Sequence, residues 1–110
     1  MEWIRPLVML PRKGEEVRVE DLAFVCNERT FGPHYHSVVI FPNGWGASVV
    51  YGEGLYGTGP RGDSYEVMLI RGSDNAEWEL QLDDDWPKGW LSGMQVNEQL
   101  KEISLLEARS

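Results

Sequence analysis

The sequence predicts an α+β protein: a small, mainly antiparallel sheet of about four to five strands, built from hairpins, with a C-terminal helix packed on one face. Three observations carry this expectation. The β-branched runs "SVVIF" (37–41) and "GASVVY" (46–51) flank "PNGW", a hairpin signal. The segment "EWELQL" (77–82) alternates apolar and polar residues, the period of a half-buried strand. In the tail "LSGMQVNEQLKEISLLEARS", Val96, Leu100, Ile103 and Leu106 fall on one helical stripe. A chain of 110 residues suffices for a single domain with one modest core.

Residues 1–35 mix turn signals with short apolar runs. Val17 and Val19 alternate with Arg18 and Glu20, which suits a half-exposed strand, and "EDLAFVC" (20–26) fits either a helical turn or a buried strand. The hairpin sheet is expected over 36–82. Asn43-Gly44 is the preferred pair for a two-residue type I′ turn, because both central positions need positive φ. That turn sets Phe41 opposite Gly46, Ile40 opposite Ala47 and Val38 opposite Val49, with the Phe41 ring free to lie over Gly46. "YEVMLI" (65–70) is apolar on both faces, as in a central strand, and the polar "RGSDNA" joins it to "EWELQL" as a second hairpin. There Trp78, Leu80 and Leu82 share one face, and Glu77, Glu79 and Gln81 the other. Ser92 with Gln95 three residues on reads as a capping box opening a helix over 92–107. Val49, Leu69, Leu80 and Leu100 are expected in the core and intolerant of charge.

Charge and composition exclude several function classes. A formal net charge of −8 argues against direct binding to nucleic acid or to an anionic membrane surface. Cys26 is alone, so no internal disulfide forms and a reducing cytoplasm is the expected compartment. The apolar run "LVML", between Pro6 and Pro11, is too short for a signal-peptide core or a membrane span. Five tryptophans are many for this length; such rings fill cores or anchor partners.

The most specific motif is "GEGLYG" (52–57), a literal G-x-G-x-x-G after an apolar run. A dinucleotide fingerprint needs a helix to follow, its N-terminus facing the pyrophosphate. Here Thr58-Gly59-Pro60 follows, and Glu53 would set a carboxylate beside the phosphates, so a Gly-rich loop between strands is expected. A nucleotide-like ligand held by this loop with Tyr51, Tyr56 and Arg61 is the alternative. "RGD" (61–63) reads as a turn sequence. His34 and His36, two apart on a strand, would project from one face. Zinc would need further ligands, and neither Cys26 nor the run Asp83-Asp84-Asp85 supplies a recognisable spacing, so no metal and no cofactor are expected. No serine sits in a nucleophile-elbow context, and a non-enzymatic protein is expected.

One segment asks for a function. Between Gly72 and Pro87 there are six carboxylates and no Lys or Arg, and "WPKGW" follows with Trp86 and Trp90 flanking a Pro-Lys-Gly turn. The plain interpretation is a solvated strand face and an Asp-rich turn, with both rings tucked under the helix. The functional one is an acidic patch with an aromatic anchor, formed by Glu77, Glu79, Asp83, Asp84, Asp85, Trp86 and Trp90 and suited to a basic protein surface.

These residues also carry a resemblance. The hairpin Asn43 to Val49 (Asn-Gly-aromatic-Gly-x-Ser-Val), the Tyr56-Gly57 turn, the strand Glu66 to Ile70, the acidic turn Asp83 to Asp85 and the helix Val96 to Ile103 resemble a family of small, mostly uncharacterised bacteriophage proteins. The likeness covers about residues 37–106. It departs from the family pattern at Trp45, where tyrosine is usual, in a longer Gly-rich loop, and in "DDDWPKGWL". No activity comes with the family. The resemblance implies a phage or prophage origin and a place in the bacterial host cytoplasm. The leading expectation is then an accessory protein that binds a host macromolecule, for example by inhibiting a nucleic-acid-binding or defence protein. A structural or assembly role, with homo-oligomerisation, is the third alternative.

Overall fold

The computed structural model of the chain describes residues 7–29, 32–52, 57–73, 76–81 and 85–108. In chain order the elements are β1 (Val8–Met9), a 3-10 turn (Val19–Asp21), β2 (Val25–Arg29), β3 (Gly32–Ile40), β4 (Trp45–Gly52), β5 (Tyr65–Gly72), β6 (Trp78–Leu80), β7 (Lys88–Leu91) and α1 (Gly93–Ser104). Long strands β3, β4 and β5 run antiparallel at the centre. Each outer edge of this trio is shared by two short strands. β3 pairs antiparallel with β2 and, further along, parallel with β1 through Val38 and Val39. β5 pairs with β7 around Tyr65 and Val67 and with β6 from Ile70 to Gly72. The result is a curled, mainly antiparallel sheet with one helix, an α+β fold.

The sheet is covered on both faces. Val39, Ala47 and Leu69 lie side by side across β3, β4 and β5, and with Val49 and Val67 they bury Val96, Leu100 and Ile103 of α1. Each such helix side chain contributes about 1.5–3 kcal/mol by leaving water. Val17 and Leu22, from the segment before β2, close the same core. On the other face Val38, Ile40 and Ile70 pack against Val8, Met68 and Trp78, so the sheet curls over its own small core. Neighbours Val38 and Val39 are therefore both fully buried.

Four sequence expectations are corrected. The β3–β4 hairpin forms, but in another register: Ile40 faces Gly46, Val39 faces Ala47 and Val38 faces Ser48. The loop has three residues, not two. Gly44 N–H donates to the Phe41 carbonyl at 3.0 Å, and Phe41 N–H donates to the Trp45 carbonyl at 2.8 Å. Pro42 explains the choice, since proline suits the second position of a type I turn, and Gly44 at φ +86° supplies the left-handed residue that closes it. The proposed strand at Val17–Val19 is instead an anchored turn. Arg18 N–H donates to Asp21 Oδ2 at 3.0 Å, and Val19 N–H to Asn97 Oδ1 of the helix at 2.7 Å. Leu80 is 44% exposed, because β6 is only three residues long and lies at an edge. The helix begins at the expected Ser92–Gln95 capping box but ends at Ser104, leaving Leu106 exposed.

Candidate functional site

The edge of β5 opposite β4 gathers the described part of the acidic and aromatic set. Glu79 lies across from Arg71 at one end, and Leu91 across from Tyr65 at the other. The stretch of β5 between these points spans roughly 20 Å of edge. Just past β6, Gln81 N–H still donates to the Leu69 carbonyl at 2.9 Å, so Gln81 stays against β5. Glu77, Glu79 and Asp85 are exposed along this line. Leu82, Asp83 and Asp84 lie outside the described residues.

The two tryptophans part company here. Trp86 is half-buried against the main core, its ring under the Lys88 ammonium at 4.6 Å, and Lys88 Nζ also donates to Gln99 Oε1 at 3.2 Å. Trp90 is 61% exposed. Its backbone has φ +57°, a region that bulky residues rarely enter. The cause is local: from Lys88 to Leu91 the chain advances three positions against two on β5, from Val67 to Tyr65, the extra residue of a β-bulge. Four residues on from Trp90, Met94 at the start of α1 is 75% exposed. The "WPKGW" segment is thus not a turn tucked under the helix; it enters an edge strand that displays one ring and buries part of the other. Sequence reasoning missed Met94, and it missed Arg71, whose Nη2 lies 3.1 Å from Glu79 Oε1. Only the strand register could have revealed that pair.

The Gly-rich loop joins β4 to β5. Gly52 N–H donates to the Gly57 carbonyl at 3.0 Å, and Gly59 bridges to Ser64. Tyr56 lies outside the described residues, and Arg61 is exposed on the following turn. Tyr51 is engaged by protein. Tyr35 stacks on it at 4.6 Å and 11°, Phe24 and Tyr65 meet it edge-on at 5.0 and 5.7 Å, and a Cβ on Gly59 would collide with its ring. Burial and the neighbouring Tyr35 raise its pKa. Of the "RGD" letters, Asp63 serves the fold, since its Oδ1 accepts from Gly93 N–H at 2.9 Å, at the first turn of α1.

His34 and His36 do share a face of β3, but no group of three or more His, Cys, Asp or Glu converges among the described residues. His36 Nε2 lies 2.6 Å from Ser48 Oγ, with the Trp78 ring edge-on at 5.8 Å. Burial lowers the His36 pKa to about 4, so near neutral pH the imidazole is uncharged and a weak base.

The fold and this edge define a small α+β protein with an acidic, tryptophan-bearing sheet border. The chain matches no protein-family model, no curated protein and no solved structure.

Proposed function

We propose that the protein is a non-enzymatic binding protein whose β6–β7 edge engages the basic surface of a macromolecular partner. The supporting observation is the placement of Trp90, 61% exposed in a backbone conformation it rarely adopts, on the same sheet edge as exposed Glu77, Glu79 and Asp85. Exposing a tryptophan costs hydrophobic free energy, and such rings are common binding anchors when framed by polar groups. Carboxylates spaced along the edge steer a cationic surface toward that anchor. The version implied by the resemblance to bacteriophage proteins makes the partner a host protein in a bacterial cytoplasm, such as one whose basic groove otherwise holds nucleic acid. The His36–Ser48 pair fits a buried structural hydrogen bond better than a nucleophile and its base, since an imidazole with a pKa near 4 takes up a proton poorly at neutral pH.

The test is affinity capture from a bacterial lysate with the wild type, Trp90→Ala, and a Glu77→Gln, Asp85→Asn double variant. A basic protein held by the wild type, released by salt and lost by both folded variants supports the reading. Capture that is indifferent to both variants refutes it.

A further inference from the structure

Two surface cavities adjoin at one end of the sheet. The first, of about 340 Å³, lies where the chain after β1, the β3–β4 turn and the end of β5 meet, with Leu10, Ile40, Phe41 and Pro42 as its apolar wall. The second, of about 300 Å³, lies over the β5–β6 hairpin and is bordered by Arg71, Glu77, Trp78 and Glu79. Gly72 and Ser73 border both, so the two form one groove with an apolar half and a charged half. Each half is at the small end of ligand pockets, about 300–1,000 Å³, and suits one side chain more than a large cofactor.

The charged half has an excess of carboxylate. Glu79 is shared with Arg71, whereas Glu77 is exposed.

We propose that this groove binds an extended peptide segment of the partner, with an apolar side chain in the first cavity and, two residues on, a lysine or arginine at Glu77 and Glu79. Residues i and i+2 of an extended chain project from the same side about 7 Å apart, so both enter a groove whose halves share a wall. Charge complementarity selects this occupant: a carboxylate-bearing segment is repelled by Glu77 and Glu79, and a purely apolar one leaves the excess carboxylate over Arg71 unmatched. The proposal rests on the edge-binding reading, because it supplies the sequence chemistry of the same basic partner.

The experiment is an NMR titration of isotope-labelled protein with the capped peptide Ala-Leu-Ala-Arg-Ala, and with two controls in which Leu becomes Ala or Arg becomes Glu. The expected result is saturable shifts at the Gly44, Gly72 and Ser73 amides and the Trp78 indole, with a millimolar Kd. Either control peptide should bind about tenfold more weakly. Glu79→Gln should weaken the first peptide several-fold while keeping the dispersion of the spectrum, and Glu98→Gln, exposed on α1 and outside both cavities, should leave the titration unchanged. Absence of shifts at these positions, or equal shifts with a control peptide, overturns the groove. If the peptide fails while lysate capture still depends on Trp90, the groove alone falls. Capture that ignores Trp90 and the edge carboxylates removes the edge reading even where the peptide binds.

Discussion

Asn43 joins the hairpin to the helix, and removing its amide tests how the two halves of the fold are held. Its Oδ1 accepts from Trp45 N–H at 3.0 Å, and its Nδ2 donates to the Ile103 and Leu106 carbonyls at 2.9 and 3.1 Å. These carbonyls belong to the last turn of α1 and the residues just after it, where intrahelical donors run out. A net hydrogen bond is worth about 0.5–1.5 kcal/mol. The Leu106 carbonyl is exposed and regains water in the variant, whereas that of Ile103 is only partly buried, so the lower part of that range applies. Asn43→Ala should therefore cost about 2 kcal/mol, lowering Tm by roughly 8 °C in a domain of this size. Asn43→Asp is the sharper variant. It keeps the acceptor for Trp45 but sets a negative charge against the negative end of the helix. Such a carboxylate is easier to protonate in the folded state than in the unfolded state. The variant should be less stable than Asn43→Ala at pH 7 and recover as pH falls through its folded pKa. Urea denaturation followed by circular dichroism reads both effects. A change in Asn43→Ala below about 0.5 kcal/mol, or a flat pH response in Asn43→Asp relative to the wild type, would refute the reasoning.

At the other end of the helix, Asp63→Ala removes the carboxylate that accepts from Gly93 N–H and should cost about 1 kcal/mol by the same denaturation assay, whereas Arg61→Ala on the same exposed turn should cost almost nothing. His36 binds its proton more weakly folded, with a pKa of about 4, than unfolded, near 6.5. Its contribution is thus complete above the unfolded pKa and is lost as pH falls from about 6.5 toward 4. With a discount for partial exposure the loss is about 2 kcal/mol, and His36→Gln should flatten the stability profile over that window. Leu100→Ala should cost about 2–5 kcal/mol, because Leu100 is 1% exposed at the helix–sheet interface. Leu80→Asp, at 44% exposure, should stay within about 1 kcal/mol of the wild type.

Legibility in the sequence followed the length and periodicity of each element. The helix was readable because its cap and its buried stripe both repeat within one segment: Ser92 with Gln95, then Val96, Leu100 and Ile103. The long strands were readable from β-branched runs. The hairpin register was not, because Asn43-Gly44 fits two turn types and Pro42 decides between them. A two-residue strand such as β1 carries no period, and β1 owes its existence to Val38 and Val39, far along the chain. The acidic set was visible as composition, but its arrangement depends on β6 and β7 sharing one edge of β5, which no local pattern encodes. The same limit hid the Arg71–Glu79 pair and the groove, both products of register.

The split edge also constrains how any partner meets it. A long exposed strand recruits other chains through its backbone. Here β6 offers three residues and β7 four, displaced along β5 from each other and interrupted by a bulge, so neither presents a continuous ladder. The backbone of β5 beneath them is already engaged, including the Leu69 carbonyl held by Gln81. Strand addition would gain few hydrogen bonds at this border. Under the proposed reading, recognition falls to side chains, and among the described residues those on display include Glu77, Glu79, Asp85, Leu80 and Trp90. This division makes two different dependences follow from one geometry. Affinity should fall with ionic strength through Glu77 and Asp85, while a remainder insensitive to salt should track the indole of Trp90.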